Sequence, residues 1–381
     1  MITTANRIAS VQEYYFSKKL KEIKKRNEAG EDIINLGIGS PDLLPPPSVI
    51  EALKNAAMEL GANKYQSYIG TDELRNEMAN WYQKYFEVQL NPVTEVLPLL
   101  GSKEGITHIS MAFINKGDKV LVPNPGYPTY SSVSNLVEAE IINYDLEPSK
   151  NWMPDVEKLK QLPLDEVKIM WMNYQNMPTG AKGDAAIMQE IIQLAIKHNF
   201  LIINDNPYSF ILNDNPLSVM QLPDAKKCCL ELNSLSKLYN LAGWRVGMVV
   251  GDSQYLTEIL KVKSNVDSGM YYPIQKGAAE ALRQPKEWFE ELNKQYEKRR
   301  KIVHEMCDIL DLEYKKDDVG MFVWAKIKNG QKSEDWCDQR LDTNKVFITP
   351  GTIFGSNGEG YVRFSLCADE KMLEESKRRL S

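Results

Sequence analysis

Short, near-continuous apolar runs recur through the middle of the chain, at 94–100 (TEVLPLL), 118–123 (DKVLVP), 167–172 (VKIMWM), 200–205 (FLIIND), 228–232 (CCLEL) and 245–250 (RVGMVV). Runs without polar alternation predict strands buried on both faces. Between them, apolar residues recur three or four positions apart, which predicts helices at 103–114, 129–138 and 184–198. In the last of these, Ala186, Ile187, Glu190, Ile191, Leu194 and Ala195 lie three or four apart. Strand–helix–strand alternation implies βαβ units, a mainly parallel sheet and right-handed crossovers.

The pattern changes after about residue 285. Residues 286–311 read as one long charged helix, followed by short strands near 321–327, 346–349 and 361–365 and a terminal helix at 369–380. The apolar faces of this α+β unit need a partner, and the first 45 residues are expected to supply it. A proline run at 45–47 precedes a helix at 48–60 and reads as a rigid boundary. The expected fold class is α/β: a three-layer large domain with a mainly parallel sheet (46–285), plus a smaller α+β domain built from both termini (1–45 and 286–381).

Composition narrows the function classes. The 381 residues carry 46 Lys+Arg against 52 Asp+Glu, a net charge of −6. That mild acidity argues against a nucleic-acid surface, which needs a basic stripe. The basic run at 17–28 (SKKLKEIKKRNE) lacks interleaved aromatics and reads as a solvated helix face. Three histidines, far apart in sequence, make a His-rich metal site an unfavoured reading, so no metal is expected. Five cysteines, none in a CxxC pair, fit free thiols in a reducing cytoplasm. The N-terminal stretch shows no secretory pattern, and no apolar run is long enough to span a bilayer.

In parallel α/β sheets, ligands bind beyond the carboxyl ends of the strands, so the segments after each run carry the chemistry. GSKEG (101–105) enters a helix, where small residues and free N–H groups suit an anion, although such turns also cap ordinary helices. NPGYP (124–128) presents Tyr127, and NMPTG follows at 176–180. Asp205 is followed by Asn206, Pro207 and Tyr208; SLSK (234–237) leads into GWRVG (243–247). Lys237, between a buried strand and a cationic neighbourhood, is a candidate imine-forming amine, because burial and nearby positive charge free its lone pair.

With these motifs in order, the chain resembles the class I/II aminotransferases, pyridoxal-phosphate enzymes of fold type I. The resemblance runs from NLGIGSPD (35–42) through KYQSYIGTDELR (64–75), GSKEG, NPGYP, PTG, Asp205 with Tyr208, SLSK with GWRVG, GMFVW (320–324) and PGTIFG to YVRFSL (361–366). It implies that Lys237 holds the cofactor and moves the substrate α-proton, and that Asp205 pairs with the pyridinium nitrogen, keeping the ring an electron acceptor. Tyr127 would stack on the ring and Tyr208 would donate to its 3′-oxygen. Ser102, Lys103, Ser234, Ser236 and Arg245 would surround the phosphate, Arg245 as a two-pronged donor. Tyr65 would reach the phosphate of a neighbouring subunit in a homodimer. Arg363 would clamp the substrate α-carboxylate, with the backbone of Ile38 and Gly39 nearby.

One position departs from the family pattern. The Asn usually found immediately before Pro-Thr-Gly is Met177 here, with Asn176 one place earlier. A thioether cannot donate a hydrogen bond, so either Asn176 takes the role or Tyr208 serves alone. Where dicarboxylate-specific relatives place a second arginine, Asp267 falls within SNVDSGMYY (264–272). A bare carboxylate there would repel acidic side chains. The expected amino donor is therefore neutral, apolar or aromatic, with Tyr14, Tyr15 and Phe16 as candidate wall residues unless they serve helix packing. The competing readings are a C–S β-lyase on the same cofactor, a regulatory role, for which the chain offers no room for a DNA-binding module, and a nicotinamide dehydrogenase, for which NLGIGSPD lacks the third glycine.

Overall fold

The computed structural model describes residues 2–9, 11, 13 and 15–381. Its centre is a seven-stranded sheet: β1 (Val96–Leu99), β2 (Lys119–Asn124), β3 (Glu140–Asp145), β4 (Val167–Met172), β5 (Leu201–Asp205), β6 (Cys229–Ser234) and β7 (Gly247–Gly251). Their spatial order is β1-β7-β6-β5-β4-β2-β3. β2 to β6 run parallel, and β7 is antiparallel to both of its neighbours.

The absence of polar alternation has a direct cause. Leu121, Met170, Ile202 and Met248 enter one apolar core, while Val120, Ile169, Ile203 and Val249, adjacent on the same strands, enter a second. Helix α1 (Ser102–Phe113) and helix α2 (Pro128–Leu136) bury Ile106, Ile109 and Val133 in the second core. Helix α3 (Ala185–His198) buries Met188, Ile191 and Ile192 in the first. The layers are therefore helix, sheet, helix. Full burial of each such side chain is worth about 1.5–3 kcal/mol, so the sheet is held from both faces. The edge strand β3 escaped the sequence reading because it pairs only with β2 and is largely exposed or half-buried along its length.

The later chain forms an antiparallel sheet in the order Thr349–Pro350, Tyr361–Ser365, Phe322–Ile327, Leu312–Tyr314. Ile34–Asn35 pairs in parallel with Val346–Phe347, joining the N-terminal segment to this region. Arg299, on the long helix Glu287–Ile309, reinforces the junction: its two terminal nitrogens donate to Asp42 at 2.7 and 2.8 Å, and Nη1 also donates to the Leu366 carbonyl at 3.0 Å. Helix Ser333–Asn344 gave no sequence signal, because its apolar and polar positions scarcely segregate. Among the described residues, no helix is long and apolar enough to cross a membrane. All five cysteines are buried free thiols.

Candidate active site

A cavity of about 720 Å³ opens where the carboxyl ends of the parallel strands face the Tyr361–Ser365 strand and the first long helix, Tyr15–Glu28. Lys237 stands on a single helical turn, Leu235–Leu238, which follows β6 directly. Its Nζ donates to the Gly39 carbonyl. Burial lowers its pKa, and the charges of Arg363 and Arg245 push the same way against an opposing contribution from the Cys367 thiol.

Asp205 ends β5 and is 4% exposed. Its Oδ2 accepts a 2.9 Å hydrogen bond from the Tyr130 hydroxyl, while Oδ1 is buried and without a partner. Burial raises its pKa to about 7, the Tyr130 hydrogen bond pulls it down, and the negative charge of Glu231 adds to the rise. Tyr130 is held in turn by a parallel stack on Trp171, with ring centroids 5.2 Å apart. Asn173 donates to the Asp205 carbonyl and accepts from Met177 N. Tyr208 lines the cavity beside Phe322, and burial raises its pKa.

At one end, Ser102, Lys103, Ser234, Ser236 and Arg245 converge at the N-terminus of α1. Two cations, hydroxyls and free helix N–H groups make an anion cradle. Burial lowers the Lys103 pKa, and Arg245 beside it does the same. The cradle requires glycine at 101: φ is 89° there, and a Cβ would collide with the Arg245 guanidinium.

At the other end, Arg363 is 4% exposed. Its Nη2 donates to the Gly37 carbonyl at 2.7 Å, and its Nη1 lies 3.2 Å from the Met177 sulfur. The guanidinium carbon sits 3.9 Å from the Phe322 ring centroid, 4.6 Å from Phe354 and 5.6 Å from Phe16. Ile38 and Gly39 line the cavity with them, as do Tyr127 and Met177.

Several expectations change. Asn176 does not line the cavity: its amide nitrogen donates to the Asn173 carbonyl, and its oxygen accepts from Thr179. The tight 173–180 turn consumes it, and Met177 faces the site instead. Tyr65 lies on the surface, 90% exposed, and lines no part of this chain's own cavity. Asp267 is no bare carboxylate. It pairs with Lys263 at 2.5 Å, accepts from Gly269 N at 2.7 Å and is absent from the cavity wall. Phe16 lines the cavity, Tyr15 packs against the cluster of Ile23, Ile33, Leu341 and Phe347, and Tyr14 lies outside the described residues. Tyr130 and Asn173 were missed. Tyr130 had a usable signal, since it follows Tyr127 by three positions at the start of a helix.

The family model for aminotransferase class I and II matches residues 31–380. The chain belongs to that family. This aminotransferase is 38% identical over 379 residues to an LL-diaminopimelate aminotransferase of Dehalococcoides mccartyi, covering 99% of this chain and 98% of that one. Among solved structures, substrate-bound BacF from Bacillus subtilis superposes with a TM-score of 0.96 at 33% identity, covering 100% of this chain and 97% of that one. An aromatic aminotransferase from Pyrococcus horikoshii superposes with a TM-score of 0.87 at 29% identity, covering 94% and 97%. Enzymes of this family depend on pyridoxal phosphate, and the aminotransferase site fits it. The unpartnered Asp205 Oδ1 is a ready acceptor for a ring N–H, and the cradle around Arg245 matches a phosphate. The C–S lyase reading finds no support among these relatives.

Proposed function

We propose that this aminotransferase takes its amino group from an amino acid with an apolar or aromatic side chain and passes it to a 2-oxo acid. The observation that carries this is the apolar lining about Arg363: Phe16, Phe322, Phe354 and Met177 surround its guanidinium, and Leu20 and Ile38 line the same cavity, with Ser17 as a polar neighbour. Asp267, paired with Lys263 and away from the cavity wall, has no bearing on the donor. An apolar wall gains about 25 cal/mol per Å² of apolar side chain it covers. Among the described residues, those six side chains offer the distal ammonium and carboxylate of diaminopimelate no charged partner, and burying either group unpaired costs several kcal/mol. The second reading, LL-diaminopimelate as donor, rests on the curated relatives' names. Steady-state kinetics separates them. The expected kcat/KM for phenylalanine or leucine exceeds that for LL-diaminopimelate and aspartate by about 100-fold, the equivalent of roughly 2.7 kcal/mol. A preference for LL-diaminopimelate would overturn the reading.

In this reading Arg363 grips the α-carboxylate and orients the Cα–H bond toward Lys237. Lys237, with its pKa lowered, takes and returns the α-proton. Bound pyridoxal phosphate supplies a conjugated ring that accepts the electrons released at the α-carbon. Asp205 holds the proton on the ring nitrogen, Tyr130 fixes Asp205, and Tyr127 covers a ring face. Ser102, Lys103, Ser234, Ser236 and Arg245 hold the phosphate, and Tyr65 reaches the site of a second subunit in a homodimer. The reading keeps the division into a cofactor domain (46–285) and a domain of both termini (1–45 and 286–381).

Met177 leaves the cofactor's 3′-oxygen to Tyr208 alone. A hydrogen bond to a charged acceptor is worth about 1.5–3 kcal/mol, so its absence raises the pKa of the lysine-bound cofactor by roughly one to two units. Met177→Asn is expected to lower that pKa by a similar amount in an absorbance titration. Equal values in the two proteins would contradict the assignment.

A further inference from the structure

Glu231 is a carboxylate that the site as described does not use. It lies on β6 in register with Asn204 of β5, one residue before Asp205, and is 0% exposed. Its Oε1 accepts from the Tyr82 hydroxyl at 3.0 Å and the Ser218 hydroxyl at 2.7 Å. Its Oε2 accepts from Asn204 Nδ2 at 3.0 Å and Val219 N at 2.9 Å. All four donors are neutral. Burying a carboxylate without a counter-ion is expensive, and such groups persist where a site uses their charge.

The geometry points to a purpose. Adjacent strands lie about 4.8 Å apart with a rise of about 3.3 Å per residue, so the Cα atoms of Glu231 and Asp205 are roughly 6 Å apart, with the Glu231 side chain on the sheet face opposite that of Asp205. We propose that Glu231 is a positioning residue whose negative charge, set across the sheet from Asp205, helps hold the proton on the nitrogen that Asp205 faces. The charge acts through Asp205 without touching the cofactor. The Asn204 side chain, held by Glu231, also bonds Tyr174 N at 3.1 Å, so the hub anchors the strand end that carries Asp205. Burial pushes the Glu231 pKa up, while its four hydrogen bonds pull it back toward the charged form. The groups facing it are Tyr82, Ser218, Asn204 and Val219 N, with Asp205 and Cys229 within electrostatic reach.

The test reads protonation directly. Wild type and variants are loaded with pyridoxal phosphate labelled with ¹⁵N in the ring, and the nitrogen chemical shift is followed against pH. Glu231→Gln is expected to lower the proton affinity of the ring nitrogen by about tenfold, roughly one pKa unit. Tyr82→Phe and Ser218→Ala, which disturb the same hub but keep the charge, are expected to stay at the wild-type shift. If Glu231→Gln does not fold, the combined Glu231→Leu, Tyr82→Phe, Ser218→Ala chain removes the charge together with two of its donors, a change proteins tolerate better. A wild-type shift in the charge-free variant overturns the proposal. So does an equal shift in all variants, which would mark Glu231 as packing support only.

Discussion

Lys237→Ala is expected to lose turnover by at least about 10⁴-fold while the protein still folds. The lysine is asked to do two things that neither arginine in the cavity can do for it. In the proposed reading it would attach the cofactor covalently and would carry the substrate α-proton, a positioned general acid–base step worth about 10²–10⁴-fold by itself. Arg363 and Arg245, the cations whose charges act on it, cannot substitute, since guanidinium groups do not deprotonate. Lys237 sits half-buried on a one-turn helix and donates one hydrogen bond to Gly39, so truncation removes little packing. Addition of a small primary amine should restore part of the activity to Lys237→Ala, because the amine can supply the missing base from solution. A variant with near-normal turnover would remove Lys237 from the chemistry.

Asp205→Asn carries the second large effect. A carboxylate at hydrogen-bond distance from a protonated ring nitrogen would contribute roughly 5 kcal/mol at an effective dielectric of 20. At about 1.36 kcal/mol per decade, the expected loss in kcat is on the order of 10³–10⁴-fold. Cofactor affinity should fall with it, and equilibrium dialysis of the cofactor checks that separately from rate. The cofactor-free protein gives a further signature. Asp205 has a folded pKa of about 7, above the ordinary carboxylate range, so the fold binds this proton more tightly than the unfolded chain does. That stabilisation is complete below the ordinary carboxylate range and is lost as pH rises through 7. Thermal unfolding of apo wild type should therefore lose more stability than apo Asp205→Asn between about pH 5 and pH 8.

The sequence made the sheet legible where strands are buried on both faces, because two separate cores each claim alternate residues of β2, β4, β5 and β7. It hid the edge strand β3 and helix Ser333–Asn344, whose burial is one-sided or weakly segregated. Motif order brought Lys237, Asp205, Tyr208, Tyr127, Arg245 and Arg363 to one cavity. Side-chain direction within a turn lay beyond it: Asn176 and Met177 are neighbours, and only the fold of 173–180 decides which faces the site. Asp267 misled for the same kind of reason, since its partner Lys263 lies one helical turn back and neutralises it. Glu231 shows in sequence only as one acidic residue within CCLEL; its four neutral donors come from Tyr82, Asn204, Ser218 and Val219, which only the fold brings to it.

The central claim is that this cavity carries out the half-reaction of a neutral amino acid. The direct measurement is the absorbance spectrum of the purified, pyridoxal-phosphate-loaded protein before and after addition of a single amino acid, with the released products counted. The account predicts that phenylalanine or leucine abolishes the visible band and releases one 2-oxo acid per site with no ammonia. It also predicts that LL-diaminopimelate and aspartate leave the band largely unchanged at the same concentration. A band that responds to none of them, or continuous release of ammonia with the 2-oxo acid, would contradict it.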